Sequence, residues 1–366
     1  MIGEVQIPRK ANKGEWSEIY TFFKLLVDKS INGADENLNI IPEKNFTVLK
    51  IIRDEKEEGN IKERVYDLTG VKDEVRISNS SENSITTVEL DSLRNGVKNI
   101  FNAIKTGQGR SFEVPEAEIF MRKFFCNSIK ASSSDKSDIR LVMQDRFSPE
   151  ETESGFSIKS AYKAAPTLLN ASKKNTNFTY EVIKGTTSSP PIESDRVRDR
   201  VSSIYNSGSL KFESVDSDTF KYNLELIDSS FPKMLAIMLA NYFRGNGSKV
   251  SELTDLLASS PEFEAEGRSS EFYKIKVKLF LEAVALGMTP AKKWNGSTRA
   301  SGGFIVVKDD GELACYHLYD REKFLEYLFN HTKFDTPSTT RHDYGSPKIG
   351  EDGKERIGLN LQIRFI

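Results

Sequence analysis

The chain has 366 residues and a formal net charge of −2, from 52 basic against 54 acidic side chains. Hydrophobic residues make up 37% and charged residues 29%, which excludes a disordered chain and a uniformly basic, histone-like binder. A chain of this length has room for two or three structural units. Cys126, Cys315, His317, His331 and His342 lack C-x-x-C or H-x-x-x-H spacing, so a disulfide framework is excluded and structural zinc is not expected. No signal-peptide core follows Met1, and no apolar run approaches the roughly 20 residues that span a bilayer. No membrane partner and a cytoplasmic location are expected.

The first element is a helix over 14–28, where Trp16, Ile19, Tyr20, Phe23, Leu26 and Val27 recur at helical spacing. Glu15, Glu18, Phe22 and Leu25 form a second line along it. Two carboxylates therefore lie in register with apolar side chains, although acids in a first turn also suit the helix dipole. Residues 40–90 read as a strand-rich meander with strands at 46–53, 63–68, 74–77 and 86–90. From Asp35 to Asp91 there are 14 acidic and 8 basic residues, a net of −6 that suits phosphate poorly. Helices follow at 92–105 and 115–128, the second opened by Pro115.

Strands at 138–145 and 155–160, joined by the polar stretch 146–154, predict an antiparallel pair. A further strand spans 176–183, and Gly185–Pro191 reads as a linker. Beyond it come helices at 197–205 and 224–243 and a basic amphipathic segment at 272–286. A hairpin-like pair at 303–307 and 312–318, a helix at 321–330 and a strand at 359–365 complete the chain. No internal repeat is visible.

Chemistry centres on Asp138 and on Ser157-Ile158-Lys159. Side chains two apart on a strand share a face, so Phe156 and Ile158 are expected in the core and Ser157 and Lys159 on the opposite side. A neighbouring strand starting at Asp138 can set a carboxylate beside the amine. Nucleases that cut DNA with Mg²⁺ use this layout: carboxylates hold a hard cation through oxygen, and a lysine orients or helps deprotonate water. The position two before the lysine carries Ser157 in place of an acid, so a missing ligand is sought elsewhere, first at Glu18, then at Glu15 and Glu181.

Two stretches are locally basic. Gly155–Lys184 carries five lysines against Glu181, a net of +4, and Arg268–Arg299 has seven basic and two acidic residues, a net of +5. Local basic regions in a neutral chain suit a DNA cleft. Two polar segments, 167–177 and 336–343, offer Asn170, Ser172, Lys173, Asn175 and Asn177, and Ser338, Thr339, Arg341 and His342. With Arg299, these side chains are of the types that reach base edges and phosphates. The same composition is also that of ordinary solvated loops.

Several blocks in order along the chain resemble the HpaII-type family of type II restriction endonucleases. They are Asn12-Lys-Gly-Glu-Trp-Ser-Glu-Ile-Tyr20, Gly155-Phe-Ser-Ile-Lys-Ser160, Pro166-Thr-Leu-Leu-Asn-Ala-Ser172, Ala300-Ser-Gly-Gly-Phe-Ile305, Cys315-Tyr-His-Leu-Tyr319, Asp335-Thr-Pro-Ser-Thr-Thr-Arg-His-Asp343 and Leu359-Asn-Leu-Gln-Ile-Arg-Phe365. The resemblance implies an α/β (α+β) fold with a PD-(D/E)XK nuclease core: a mixed central sheet flanked by helices, an inserted strand-rich segment at 35–110, and a mixed C-terminal lobe. The expected division is 1–190 for the catalytic core and 191–366 for a lobe that contributes to DNA binding. The implied activity is Mg²⁺-dependent cleavage of double-stranded DNA at CCGG, leaving 5′-phosphate ends. Asp138 and Glu18 would be metal ligands, Lys159 the catalytic lysine, and Ser157 the occupant of the usual acid position. A homodimer on a palindromic site and a cognate DNA methyltransferase are the implied partners. Two other readings remain open on the residues themselves: a non-catalytic DNA-binding protein, and a serine–lysine hydrolase built on Ser157 and Lys159.

Overall fold

The computed structural model describes residues 9–57, 59–79, 82–130, 137–145, 151–161, 166–185, 194, 196–297, 300–317 and 320–366. Two compact units emerge, Met1–Ala164 with Arg299–Phe324, and Ala165–Thr298 with Leu325–Ile366. This division differs from a cut at 190: residues 165–190 belong with the second unit, and 299–324 return to the first.

In the first unit, α1 (Lys13–Asp28) opens with a reciprocal capping box. The Asn12 side chain accepts the Glu15 amide at 3.1 Å, and Glu15 Oε2 accepts the Asn12 amide at 2.9 Å. The helix ends where Lys29 turns left-handed and returns its N–H to Leu25. From Trp16 to Leu26 it is buried on nearly every side, so the expected stripe is a core helix. Trp16 Nε1 donates to the Phe112 carbonyl at 2.9 Å, and the Tyr20 hydroxyl donates to the Gly311 carbonyl at 2.6 Å. These two bonds fix α1 on either side of Glu18.

The chain continues through β1 (Ser30–Ala34), β2 (Ile40–Glu57), β3 (Asn60–Asp67), β4 (Glu74–Asn79) and β5 (Glu82–Glu89). Then come α2 (Asp91–Thr106), α3 (Pro115–Lys123), β6 (Ile139–Asp145) and β7 (Thr152–Ser160). The expected helix at 115–128 stops at Lys123, because Phe125 takes a positive φ of 55°.

The second unit supplies β8 (Thr167–Leu169), β9 (Asn177–Lys184), α4 (Val197–Ser207), β10 (Gly208–Val215), α5 (Asp218–Glu225), α6 (Phe231–Arg244), α7 (Val250–Asp255) and α8 (Ser270–Ala285). After β11 (Gly303–Val307) and β12 (Leu313–His317) of the first unit come α9 (Arg321–Asn330), β13 (Thr332–Phe334), α10 (Thr339–His342), β14 (Lys348–Ile349), β15 (Glu355–Asn360) and β16 (Ile363–Phe365). The helix expected at 224–243 is two helices. Pro232 starts the second, and Asp228 accepts the Ser230 amide in the turn between them. The final strand is likewise split into β15 and β16.

The first unit is built on a nine-stranded sheet in the order β1-β12-β11-β7-β6-β2-β3-β4-β5. It is mixed: β11 runs parallel to β7 and β1 parallel to β12, while β6 and β7 are antiparallel as expected. The segment at 35–110, expected as an insertion, is continuous with this sheet because the 18-residue β2 pairs with both β6 and β3. The pair at 303–317, placed by sequence in the C-terminal lobe, lies next to β7. One apolar cluster joins Trp16, Ile19 and Phe22 of α1 to Ile51, Ile139, Leu141, Phe156 and Ile158 of the sheet and to α2 and α3 through Ile100 and Phe120. The second unit holds a sheet β10-β9-β15-β14 and a sheet β13-β16-β8, with α6 as its buried helix. No helix among the described residues is long and apolar enough to cross a membrane.

The Gly302-Gly303 pair lets β11 pack closely between β7 and β12. A Cβ at Gly302 would lie 2.5 Å from the Phe156 ring, and one at Gly303 would lie 2.0 Å from the Tyr316 carbonyl oxygen, at a φ of +122°. Backbone cannot yield to that degree, so Gly303→Ala is expected to cost on the order of 3 kcal/mol or more. The predicted result in thermal melting is a drop of roughly 5–10 °C or an insoluble product.

Candidate active site

The two strands that sequence singled out bring their polar ends together. Ile139 pairs with Phe156, so Asp138, just ahead of β6, stands opposite Ser157. The Asp138 amide donates to the Phe156 carbonyl at 2.8 Å. Its Oδ2 accepts the Ile158 amide at 2.7 Å and the Ser157 hydroxyl at 3.2 Å. Those bonds fix the carboxylate and leave Oδ1 without a hydrogen bond among the described residues. Ser157 is thus engaged with Asp138 and is not set up as a nucleophile paired to Lys159. Phe156 and Ile158 enter the apolar cluster as the alternation predicts. Lys159, half-buried beside Val306, has no hydrogen bond or ion pair among the described residues.

Glu18 comes to the same place from α1, which packs on β7. It is 8% exposed, and its Oε2 is buried with no hydrogen-bond partner. Burial, and next the charge of Asp138, push its carboxyl up to about 8, against the opposing pull of Lys130, Arg53 and Lys159. Its interaction with both Asp138 and Lys159 places all three groups in one neighbourhood. The other two acids fall away. Glu15 is used in the α1 cap, and Glu181, on β9 of the second unit, is paired with Lys354 at 3.0 Å.

Sequence reasoning missed a buried ion pair behind the site. Arg53 Nε donates to Glu55 Oε1 at 2.9 Å, and both side chains are 0% exposed. Glu55 Oε2 accepts the amides of Asn127 and Ser128, at 2.8 and 2.9 Å. The signal was available: Arg53 and Glu55 fall at period two with Ile51, on the apolar face of β2.

In the second unit, the two polar segments meet. Lys173 reaches Asp343, next to α10, at 3.0 Å. Asn170 and Arg341 are exposed, and Thr339 and His342 half-buried. Partial burial, with Arg341 adjacent, holds the His342 ring below its ordinary pKa. Ser338 and Asn177 are occupied by the fold: Ser338 caps α10, and Asn177 donates to Asp216 at 2.7 Å. Ser172 and Asn175 bond through their main chain, the Ser172 carbonyl accepting from Thr176, Asn360 and the Asn175 amide, which leaves both side chains for a ligand. Arg299 lies outside the described residues. The basic count over 268–299 also shrinks in three dimensions. Arg268, Lys274, Lys276 and Lys278 are matched by Glu266, Asp255, Asp228 and Glu326, all outside the counted window.

Two carboxylates with unspent oxygens and an unpaired amine, gathered on adjoining strands and a buried helix, suit hydrolysis of a phosphodiester. The family model described as HpaII restriction endonuclease matches residues 12–365, and the chain belongs to that family, a type II site-specific deoxyribonuclease. It is 36% identical over 365 residues to the type II restriction enzyme HpaII of Haemophilus parainfluenzae, covering 97% of this chain and 98% of that one. No solved structure matches it.

Proposed function

We propose that the chain cuts double-stranded DNA at CCGG with Mg²⁺, through a PD-(D/E)XK-type core in its first unit. The observation that carries this reading is the trio: Asp138 fixed through Oδ2, with its Oδ1, the buried Glu18 Oε2 and the Lys159 amine all free of hydrogen bonds among the described residues. Among the described residues no group of three or more His, Cys, Asp or Glu gathers as a metal cluster. Asp138 and Glu18 offer two carboxylates, and a hard cation held by two carboxylates keeps several waters. The fit is chemical as well, since a buried carboxyl raised by a neighbouring carboxylate gains its ionised form when a cation joins it.

Asp138 and Glu18 would hold Mg²⁺, which when bound supplies positive charge to the non-bridging oxygens of the scissile phosphate. Lys159 orients the attacking water and assists removal of its proton. The water oxygen bonds to phosphorus, the bond to the 3′-oxygen breaks, and that oxygen takes up a proton. The products are a 3′-hydroxyl and a 5′-phosphate. Asn170, Ser172, Asn175, Thr339, Arg341 and His342 of the second unit are the side chains left to meet DNA, with Lys173 and Asn177 shaping the loop beside them.

A palindromic site favours a two-fold dimer, one half-site per subunit, and a cytoplasmic methyltransferase of the same specificity would protect the host. Incubation of the protein with unmethylated phage DNA and Mg²⁺, followed by sequencing of fragment ends, tests the reading. Discrete fragments ending within CCGG with 5′-phosphates are expected, and none in excess EDTA. Ends at another sequence would overturn the site, and a smear would overturn sequence specificity.

A further inference from the structure

We propose that the buried Arg53–Glu55 pair is a positioning device for the active site, holding the Glu18 carboxylate and the 127–128 segment in their working places. The inference rests on Glu18 serving as a metal ligand. Arg53 and Glu55 project from the face of β2 that packs on α1. There the Arg53 guanidinium lies over the Phe22 ring, 5.0 Å from its centroid. Glu18 sits one turn before Phe22, and helical side chains lean toward the N-terminus, so the ring and the carboxylate share a face.

Two atoms of these side chains are left unmatched. Arg53 uses Nε on Glu55 and Nη2 on the Ser128 carbonyl, at 2.9 Å each, and leaves Nη1 buried without a partner. Glu18 leaves Oε2 buried without a donor. Buried polar groups are rarely left single, and here a spare donor and a spare acceptor stand on the same α1–β2 packing. In this proposal a bridging water would link them at little cost, and the Glu18 oxygen keeps its second lone pair for the cation. On the other side, Glu55 takes both amides of Asn127 and Ser128, which fixes those two residues against β2. Carboxylate ligands held by such outer partners keep their orientation when the ion arrives.

Arg53→Met alone strands a buried Glu55 and is expected to fold poorly. The pair Arg53→Met with Glu55→Leu removes both charges together, a change that buried pairs often tolerate. The measurement is Mn²⁺ affinity, read from the paramagnetic resonance of free ion. It uses full-length protein bound to a CCGG duplex with a non-hydrolysable linkage at the scissile position. The double variant is expected to bind Mn²⁺ about tenfold more weakly than wild type. In cleavage assays its half-saturating Mg²⁺ should rise by a similar factor while the maximal rate changes little. Arg53→Lys, which keeps the charge but cannot reach both Glu55 and Ser128, should show a weakening of about threefold or more; it decides the matter if the double variant is insoluble. Asp138→Asn is the control. Wild-type Mn²⁺ affinity in Asp138→Asn would remove the metal site and this inference with it. Loss of the ion in Asp138→Asn, with the Arg53 variants within twofold of wild type, would overturn the inference alone.

Discussion

Lys159→Ala is expected to lower the rate of DNA cleavage by about a thousandfold or more while leaving DNA binding within a few-fold of wild type. Lys159 makes no hydrogen bond or ion pair among the described residues, so its removal costs the fold little and any loss belongs to the reaction. Asp138→Asn should produce a loss of the same order for a different reason. The single oxygen of asparagine can take the Oδ2 place and accept the Ile158 amide and the Ser157 hydroxyl, but its NH2 then stands where Oδ1 stood and offers a cation no lone pair. Raising Mg²⁺ should partly restore Asp138→Asn and should not restore Lys159→Ala. A plasmid-cutting assay beside a gel-shift assay reads all of this. Full cleavage by Lys159→Ala would remove the lysine from the mechanism, and loss of binding in step with cleavage would make it a DNA contact.

Glu18→Gln is expected to abolish cleavage and, in the metal-free protein, to raise stability at alkaline pH. The sign follows from where the carboxyl titrates. Its ordinary value is 4.5 and its folded value about 8, so between those two pH values the folded protein keeps a proton that the unfolded chain has released. Stability from this group is therefore lost as pH rises from 4.5 toward 8, at about 1.4 kcal/mol per pH unit, and is constant above that window. Glutamine cannot ionise and escapes the loss. At pH 8.5 the variant should be more stable by roughly 2–4 kcal/mol, visible as a melting temperature raised by several degrees. Mg²⁺ should raise the melting temperature of wild type and not of the variant. Because proton and cation compete for one carboxylate, wild-type cleavage at sub-saturating Mg²⁺ should climb between pH 7 and 8.5. A Glu18→Gln protein that cuts normally, or that melts below wild type at pH 8.5, would contradict the assignment.

Much of this site was legible before any coordinates, because its parts are written in local patterns. Period-two alternation through Phe156-Ser157-Ile158-Lys159 set which side chains enter the core, and helical spacing put Glu18 in line with apolar residues of α1. Charge was less legible. A count along 268–299 sees lysines but not Asp228, Asp255 and Glu326, which reach them only after the α5–α6 turn, α7 and α9 pack beside α8. Boundaries failed where chain geometry, not hydropathy, decides: Pro232 divides one long apolar run into α5 and α6, and Phe125 halts α3. The Arg53–Glu55 pair left one faint mark, its period-two step from Ile51, and was easily passed over. Two charges on a strand read as solvent-facing until α1 and the 127–128 backbone close over them. The place of 303–317 beside β7 depends on pairing across more than 140 residues, which no local pattern records.

The most direct test is the position of the metal itself. Crystals of the protein with a CCGG duplex, soaked in Mn²⁺ and measured at the manganese absorption edge, should show an anomalous peak bounded by Asp138 Oδ1 and Glu18, with Lys159 facing the scissile phosphate. A bound duplex with its manganese held by other side chains, Asp138 and Glu18 standing clear of it, would contradict the account.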